Sequence, residues 1–404
     1  MNSPILILLT NDFPFGQGEQ FLETEILHLS KSFDKVYIYT TSSKGERRYL
    51  PSNVEVKNFH WRKSFSVKKL ILRRVFLLLK IFFAEFWSPK RKQHYKRNLK
   101  FHFNNLLAII NDAENFKTEL DTYDLTSTKI YSYWFGPWGD VMCMVNASEN
   151  NKYPFITRVH GYDYDVARWE GAFIPFRAFF MQHVNQMSAV SEYGYHRVIT
   201  EYPEFKNISV SRLGVTDKGD NLIFVNDVFH IVSCSSLIPL KRVHLIIEII
   251  KQLPFKVKWT HFGDGPLKDS ICSLAEELPE NITVDFKGFV ANEVVIDLYK
   301  SEQVDLFMNV SELEGVPVSI MEAISFGIPA TGCRICGVPE IVTDHTGLLF
   351  EEIINIDEAV NQIVAYKNLS ESEKIVFRKG VKTFWRMKFD ANFNYSTFIT
   401  EILQ

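Results

Sequence analysis

Leu306-Phe307-Met308-Asn309-Val310-Ser311-Glu312-Leu313-Glu314-Gly315-Val316-Pro317-Val318-Ser319-Ile320-Met321-Glu322 is the stretch whose reading decides the fold. The apolar run ending in Phe307-Met308-Asn309-Val310 reads as a buried strand, and 311–316 as the loop that leaves it. Pro317 suits the first position of a helix, because its fixed φ is already helical. Gly327 suits the C-terminal cap, and Pro329 blocks continuation. A short helix over about 317–326 is therefore predicted directly after a strand and a glycine turn. Its free backbone N–H groups and positive dipole end would form a phosphate site. Glu322 lies one turn after Val318, and helical side chains lean toward the N-terminus, so its carboxylate points back at a ligand held there. Glu314 brackets the same helix start from the loop. Two carboxylates repel a bare phosphate, so the ligand must also offer hydroxyls; a sugar nucleotide offers both. One helix cap and one exposed acid is the plainer alternative.

Short apolar strands alternate with helical stretches through most of the chain, which argues for α/β architecture with largely parallel sheets. Strands are predicted at Ile5–Thr10, Lys35–Thr40, Lys129–Tyr133, Phe155–Val159 and Gln186–Val190. After a polar interruption at Asp217–Asn221 they restart at Phe229–Cys234, Val257–Phe262, Ile282–Phe286, Leu306–Val310 and Ala330–Thr331. Two such sets imply two doubly wound Rossmann-like domains facing each other across a cleft, and 404 residues suffice for both cores. The expected division is 1–216, a linker 217–226, a second domain 227–375, and a tail 376–404 crossing back to the first.

A hydrophobic share of 46% and a charged share of 23% are those of a soluble globular protein. Five scattered cysteines suit a reducing compartment better than a disulfide framework, which points to the cytoplasm. The apolar start of the chain lacks a basic region and a cleavage site, so it reads as a first strand. No uncharged run reaches the ~18 residues that span a bilayer. The anomaly is 61–100, which holds thirteen Lys or Arg and one acid, Glu85. Leu70, Ile71, Val75, Leu78, Leu79, Phe82, Phe83 and Phe86 are spaced there for one apolar helix face. Either this basic amphipathic helix lies on an anionic membrane surface, or it packs internally with a solvated basic edge. No nucleic-acid motif accompanies the charge.

Glu314-Gly-Val-Pro-Val-Ser-Ile-Met-Glu322 resembles the E-x7-E motif of glycosyltransferase family 4 (group 1), and Ala323-Ile-Ser-Phe-Gly-Ile-Pro-Ala330 continues it. The likeness extends over Gly337-Val-Pro-Glu340, Gly347-Leu-Leu-Phe350, Gly263-Asp-Gly-Pro266, Lys287-Gly-Phe289 and the run Ser233 to Arg242. It covers almost all of the C-terminal half and is thinner over the N-terminal half. The resemblance implies a GT-B fold and a retaining enzyme independent of a bound metal or other cofactor. Its partners would be a nucleotide-sugar donor and a hydroxyl acceptor.

By this resemblance Glu322 would hold the donor ribose and Glu314 would lie near the transferred sugar. The backbone around Gly315, Pro317, Val318 and Ser319 would take the distal phosphate, and Lys241 would neutralise the leaving diphosphate. The family's usual arginine partner of that lysine is replaced by Ser236, which puts the phosphate clamp in doubt; Arg242 could compensate. The base would sit near Gly288 and Phe289. In the N-terminal half, Phe13-Pro-Phe-Gly16-Gln-Gly18-Glu19 resembles the glycine loop that approaches donor and acceptor, although Gly16 and Gly18 could merely make a turn. Arg158-Val-His160-Gly161-Tyr-Asp163 resembles the histidine loop, with His160 near the donor sugar and Asp163 and Glu19 on the acceptor side. Asp163-Tyr-Asp165 has D-x-D spacing and Cys333-Arg-Ile-Cys336 has C-x-x-C spacing, but nothing completes a metal site around either. The expected reaction is sugar transfer to a glycan or lipid-linked acceptor in surface glycan synthesis, at the inner face of the membrane. The competing readings are a sugar-nucleotide epimerase on the same fold and a donor-binding subunit without turnover.

Overall fold

The computed structural model describes residues 4–403 except 17, 87–88, 167–168, 170–172 and 223–226; of the side chains between 86 and 97 it describes Tyr95 alone. Gln17 of the glycine loop and 223–226 of the expected linker thus lie outside the described residues. The chain forms two compact units, Met1–Ser211 with Tyr395–Gln404, and Arg212–Asn394.

The N-terminal unit is built on a seven-stranded parallel sheet of β1 (Ile5–Thr10), β2 (Lys35–Thr40), β3 (Val54–Lys57), β4 (Thr128–Ser132), β5 (Ile156–Val159), β6 (Gln186–Ala189) and β7 (Ile208–Val210). The strand order is β3-β2-β1-β4-β5-β6-β7, so the winding reverses between β1 and β4. Its helices are α1 (Leu22–Ser32), α2 (Val67–Arg73), α3 (Val75–Phe86), α4 (Pro89–Leu120), α5 (Pro137–Ser148), α6 (Arg177–Phe180) and α7 (Glu192–Glu201). Strand alternation fills both faces. Leu6 and Leu8 join Ile26, Val36 and Phe398 in one core, while Ile7 and Leu9 join Ile110, Phe116 and Ile130 in the other. The first of these faces also buries an ion pair, Arg158 Nη1 to Glu25 Oε2 at 2.6 Å, with the Arg158 guanidinium 4.1 Å from the centre of the Phe398 ring.

The basic region departs from the predicted pattern. It forms two short helices and the start of α4, not one continuous helix; Arg74 leaves helical geometry between α2 and α3 (φ −114°, ψ 20°). Leu70, Leu77 and Ile81 supply the buried face. Val75, Leu79, Phe82 and Phe83, part of the apolar face that the sequence left open between a membrane surface and internal packing, stand exposed together with Leu72 and Phe76. These helices are apolar on most sides, so periodicity alone did not say which stripe would be covered. Arg73 and Arg74 pair with Glu114 on α4, and Lys68, Lys69 and Lys80 face solvent. Glu85 is buried, accepting from the Tyr95 hydroxyl and the Phe179 N–H. α4 is interrupted at Asn98 (φ −135°, ψ 36°). Among the described residues no helix is long and apolar enough to cross a membrane.

The C-terminal unit has a six-stranded parallel sheet of β8 (Phe229–Cys234), β9 (Val257–Phe262), β10 (Ile282–Gly288), β11 (Leu306–Phe307), β12 (Ala330–Cys333) and β13 (Gly347–Phe350). Their order, β10-β9-β8-β11-β12-β13, reverses between β8 and β11. The helices are α8 (Val243–Ile250), α9 (Lys268–Ala275), α10 (Asn292–Ser301), α11 (Val318–Ser325), α12 (Ile356–Lys367), α13 (Glu371–Phe389) and α14 (Ala391–Phe398), the last turn of which belongs to the N-terminal unit. The division differs from the one expected. Residues 212–216 and all of α13 belong to the C-terminal unit. Arg378 of α13 is buried there, donating to Val304 O at 2.7 Å and Asn221 Oδ1 at 2.6 Å, and Gly214 abuts the backbone of Ala391. The tail rejoins the first unit only from Tyr395, where Phe398, Ile399 and Leu403 enter its core.

Candidate functional site

In doubly wound sheets, ligands bind at the carboxyl ends of the strands where the winding reverses. In the C-terminal unit this point lies between β8 and β11, and the loops leaving these two strands carry the predicted residues. The ladder of β11 stops at Phe307, earlier than expected, because Asn309 turns aside: its N–H donates to Thr331 Oγ1 (3.1 Å) and its Oδ1 caps the Ser311 N–H (3.0 Å). That turn presents Glu314. Lys241, at the end of a 3₁₀ turn after β8, donates to Glu314 Oε1 at 2.6 Å, with Asn309 Nδ2 more distant at 3.4 Å. Both partners are mostly covered, 21% and 13% exposed.

α11 begins at Val318, one place later than predicted, and Pro317 is its N-cap in extended geometry (φ −72°, ψ 122°). The N–H groups of Val318 and Ser319 make no hydrogen bond among the described residues, whereas the next two bond to Pro317 O. The loop before the helix is tightly seated. A Cβ on Gly337 would come within 2.4 Å of Gly315 O, and Cys336 takes the left-handed conformation (φ 43°) at the turn. Glu322 accepts from Asn292 Nδ2 at 2.8 Å, and burial lifts its carboxyl above the usual range. At the end of β10, Gly288 is left-handed (φ 66°) and donates no side chain to the space before Asp264, while Phe289 is largely exposed. Lys241, Glu314, the α11 N-terminus and Glu322 therefore share the strand-end edge of the unit.

Two assignments change. Arg242 does not supply a phosphate contact. Its left-handed backbone (φ 47°) turns the guanidinium onto Val310 O (2.8 Å), Ser311 O (3.1 Å), Glu352 O (3.0 Å) and Cys333 Sγ (3.2 Å), so it ties the Glu314 loop to the sheet. Ser236 is exposed, with no side-chain hydrogen bond among the described residues. Asn292, Asn309 and Cys234 were not singled out from the sequence. Cys234 ends β8, its thiol pushed up to about 12 by burial, with Glu322 adding to the shift. An asparagine at a helix start or strand end carries no signal of which distant carboxylate it meets.

In the N-terminal unit the loops after β1, β4 and β5 meet. His160 is stacked between Tyr133 and Trp134, ring centres 4.6 and 4.3 Å away, and burial lowers its pKa. Neither ring nitrogen has a hydrogen-bond partner among the described residues. Asp163 accepts from the His160 backbone N–H at 2.8 Å and stands 3.6 Å from Nδ1, so it shapes the loop. Glu19 is corrected from an acceptor contact to a loop pin. Its buried carboxylate takes the N–H groups of Asn11 (2.9 Å), Asp12 (2.7 Å) and Phe13 (2.6 Å) and Trp134 Nε1 (2.7 Å), leaving little for a ligand. Gly16 is left-handed (φ 61°), a conformation that favours glycine, while a Cβ on Gly18 would meet the movable carboxylate of Asp12 at 2.7 Å.

Residues 219–380, most of the C-terminal unit, match the model of the family described as glycosyl transferases group 1. Over 152 residues the chain is 30% identical to WcaL of Escherichia coli (strain K12), named as a colanic acid biosynthesis glycosyltransferase; the match covers 35% of this chain and 37% of that protein. It is 28% identical over 166 residues to the amylovoran biosynthesis glycosyltransferase AmsK of Erwinia amylovora, covering 38% and 40%. The chain thus spans less than half the length of these curated relatives. Among solved structures, the lipopolysaccharide outer core galactosyltransferase WaaB superposes with a TM-score of 0.67 at 14% identity, covering 98% of this chain and 99% of that one. HepE of Anabaena, in complex with UDP-glucose, gives 0.62 at 15% over 98% and 99%. The two α/β units have the GT-B glycosyltransferase fold.

Proposed function

We propose that this protein transfers a sugar from a nucleoside diphosphate to an acceptor hydroxyl, with retained anomeric configuration and without a metal. The observation that carries the reading is the placement of Lys241 and Glu314, 2.6 Å apart, on the two loops flanking the strand reversal beside unbonded N–H groups of α11. A cation and preorganised N–H donors aimed at one place stabilise the charge that develops on a departing diphosphate. Glu322, half-buried and held by Asn292, accepts the ribose hydroxyls. Glu314, released from Lys241 when the diphosphate takes that cation, is left facing the sugar. HepE was solved with UDP-glucose and with UDP, which supports a nucleotide sugar as donor.

The acceptor is a lipid-linked saccharide in surface glycan synthesis, reached from the cytoplasmic face of a membrane. Relatives named for colanic acid and amylovoran biosynthesis support the glycan, and the exposed Leu72, Phe76, Leu79, Phe82 and Phe83 beside Lys68, Lys69 and Lys80 support the membrane. The test is incubation of the protein with UDP-, GDP- and ADP-sugars and a bacterial lipid extract. Extract-dependent release of one nucleoside diphosphate with labelled sugar in the lipid phase is expected. Nucleotide binding without any release assigns it instead as a non-catalytic subunit, and conversion of the donor alone assigns an epimerase.

A further inference from the structure

The N-terminal unit contains a cavity of about 930 Å³, a volume in the range of small-molecule sites, lined wholly by its own residues. It opens where that sheet reverses, between the loops after β1 and β4, so Asn11 and Trp134 to Pro137 form one wall. α4 supplies the opposite wall through Asn98, where the helix is interrupted, and Phe101, which is also exposed beside the apolar helices. Phe135, Phe176 and Phe180 make the interior aromatic.

Two charged side chains reach into this aromatic space without being satisfied. Arg177 is 4% exposed; its Nη2 donates to Phe135 O at 2.8 Å, but Nε and Nη1 have no hydrogen-bond partner among the described residues. Asp140, on the first turn of α5, likewise leaves Oδ1 unpartnered. The two face each other at 4.0 Å from Nη1 to Oδ1, too far for a hydrogen bond. Leaving such groups unbonded in a buried place is costly, which makes them candidates for ligand contacts. A hydroxyl oxygen fits between them, accepting from the guanidinium and donating to the carboxylate. A bare anion would meet Asp140 and Asp163, and a bare cation would meet Arg62 and Arg177, all of which line the cavity. A neutral, polyhydroxylated ligand suits both signs, and aromatic walls suit the apolar faces of sugar rings.

We propose that this cavity binds a neutral saccharide portion of the acceptor, with Asp140 and Arg177 bridging one of its hydroxyls and setting which sugar is accepted. This inference rests on the glycosyltransferase reading for the word acceptor, but not for the site itself. Its test uses octyl glucoside, octyl galactoside and octyl mannoside below their micelle concentrations, read by the fluorescence of the wild-type protein, since Trp61 and Trp134 line the cavity. Octyl phosphocholine serves as the control for the alkyl chain. The expected result is a saturable change with at least one glycoside and none with the control, weakened about 10-fold in Asp140→Asn and in Arg177→Lys. Melting temperatures identify a variant that has lost its fold, and the isosteric Asp140→Asn decides alone if Arg177→Lys has done so. Nucleotide-induced stabilisation, measured in parallel, should be unchanged in Asp140→Asn. No saturable glycoside binding, or equal binding by wild type and Asp140→Asn, overturns the proposal. Glycoside binding without any nucleotide binding would leave the saccharide site standing and overturn the transferase reading.

Discussion

Lys241 Nζ lies 2.6 Å from Glu314 Oε1, joining the loop after β8 to the loop after β11. Each residue is the other's counter-ion before any donor arrives. In the reaction proposed above, a diphosphate entering at the α11 N-terminus would compete for the lysine and free the carboxylate.

Coupling follows from that geometry. Lys241→Met and Glu314→Gln should each lower kcat by about 10²–10³. The double variant should lose far less than the product of the two, as expected for groups acting as a unit. Folding stability should change by only about 1 kcal/mol in either single variant, because the pair is partly open to solvent. Steady-state kinetics on the four proteins of the cycle, with melting curves, measures both.

For Glu322 the sign can be worked through. Burial holds its carboxyl above the ordinary 4.5 in the folded protein, so the unfolded chain ionises more readily. Ionisation at neutral pH therefore opposes folding, and Glu322→Gln should melt slightly higher than wild type without ligand. Ribose hydroxyls favour the charged form, so nucleotide affinity in the wild type should fall on acidification. Glu322→Gln should bind weakly, with a flatter pH dependence. Calorimetric titration across the acid side of neutrality checks this.

The fold and the position of α11 were legible in the sequence because both are local. A strand, a glycine turn, a proline and two acids eight residues apart fix a helix start and what faces it. Two site assignments that failed depended on side-chain direction. Arg242 next to Lys241 reads as a second phosphate contact until its left-handed backbone is seen to turn it onto three carbonyls. Glu19 beside two glycines reads as a ligand contact until the Asn11 to Phe13 N–H groups are found closing over it. The stripe of α3 stayed undecided in the sequence for another reason: an almost wholly apolar helix does not encode which side is covered.

Arg242→Lys should separate anchoring from binding. A lysine cannot reproduce the fork that reaches Val310, Ser311 and Glu352, so a stability loss of about 1–3 kcal/mol is expected. Nucleotide affinity measured well below the melting temperature should stay near wild type. A large affinity loss with unchanged stability would restore Arg242 to the phosphate site.

Asp140 gives a pH signature in stability. Burial pushes its carboxyl up to about 7, with Asp163 adding to the rise and Arg177 and Arg62 opposing it. Between its ordinary value of 3.8 and about 7 the folded protein holds a proton that the unfolded chain has released, so stability falls as pH rises through this window. Asp140→Asn carries no such charge. Its melting temperature should therefore gain on wild type between about pH 4 and pH 7 and level off above it; parallel curves would contradict the burial of the charge.

The central claim is that the C-terminal unit holds a nucleoside diphosphate between Lys241, the α11 N-terminus and Glu322. It is tested most directly by thermal stabilisation with UDP, GDP and ADP in the absence of divalent metal, on wild type, Lys241→Ala and Glu322→Ala. A ligand that binds only the folded state raises its melting temperature by mass action, by about 2.7 kcal/mol of stability at 100 times Kd. One nucleotide stabilising the wild type, with the effect lost in both variants, is the predicted result. Stabilisation that survives both substitutions would place the nucleotide elsewhere and contradict the account.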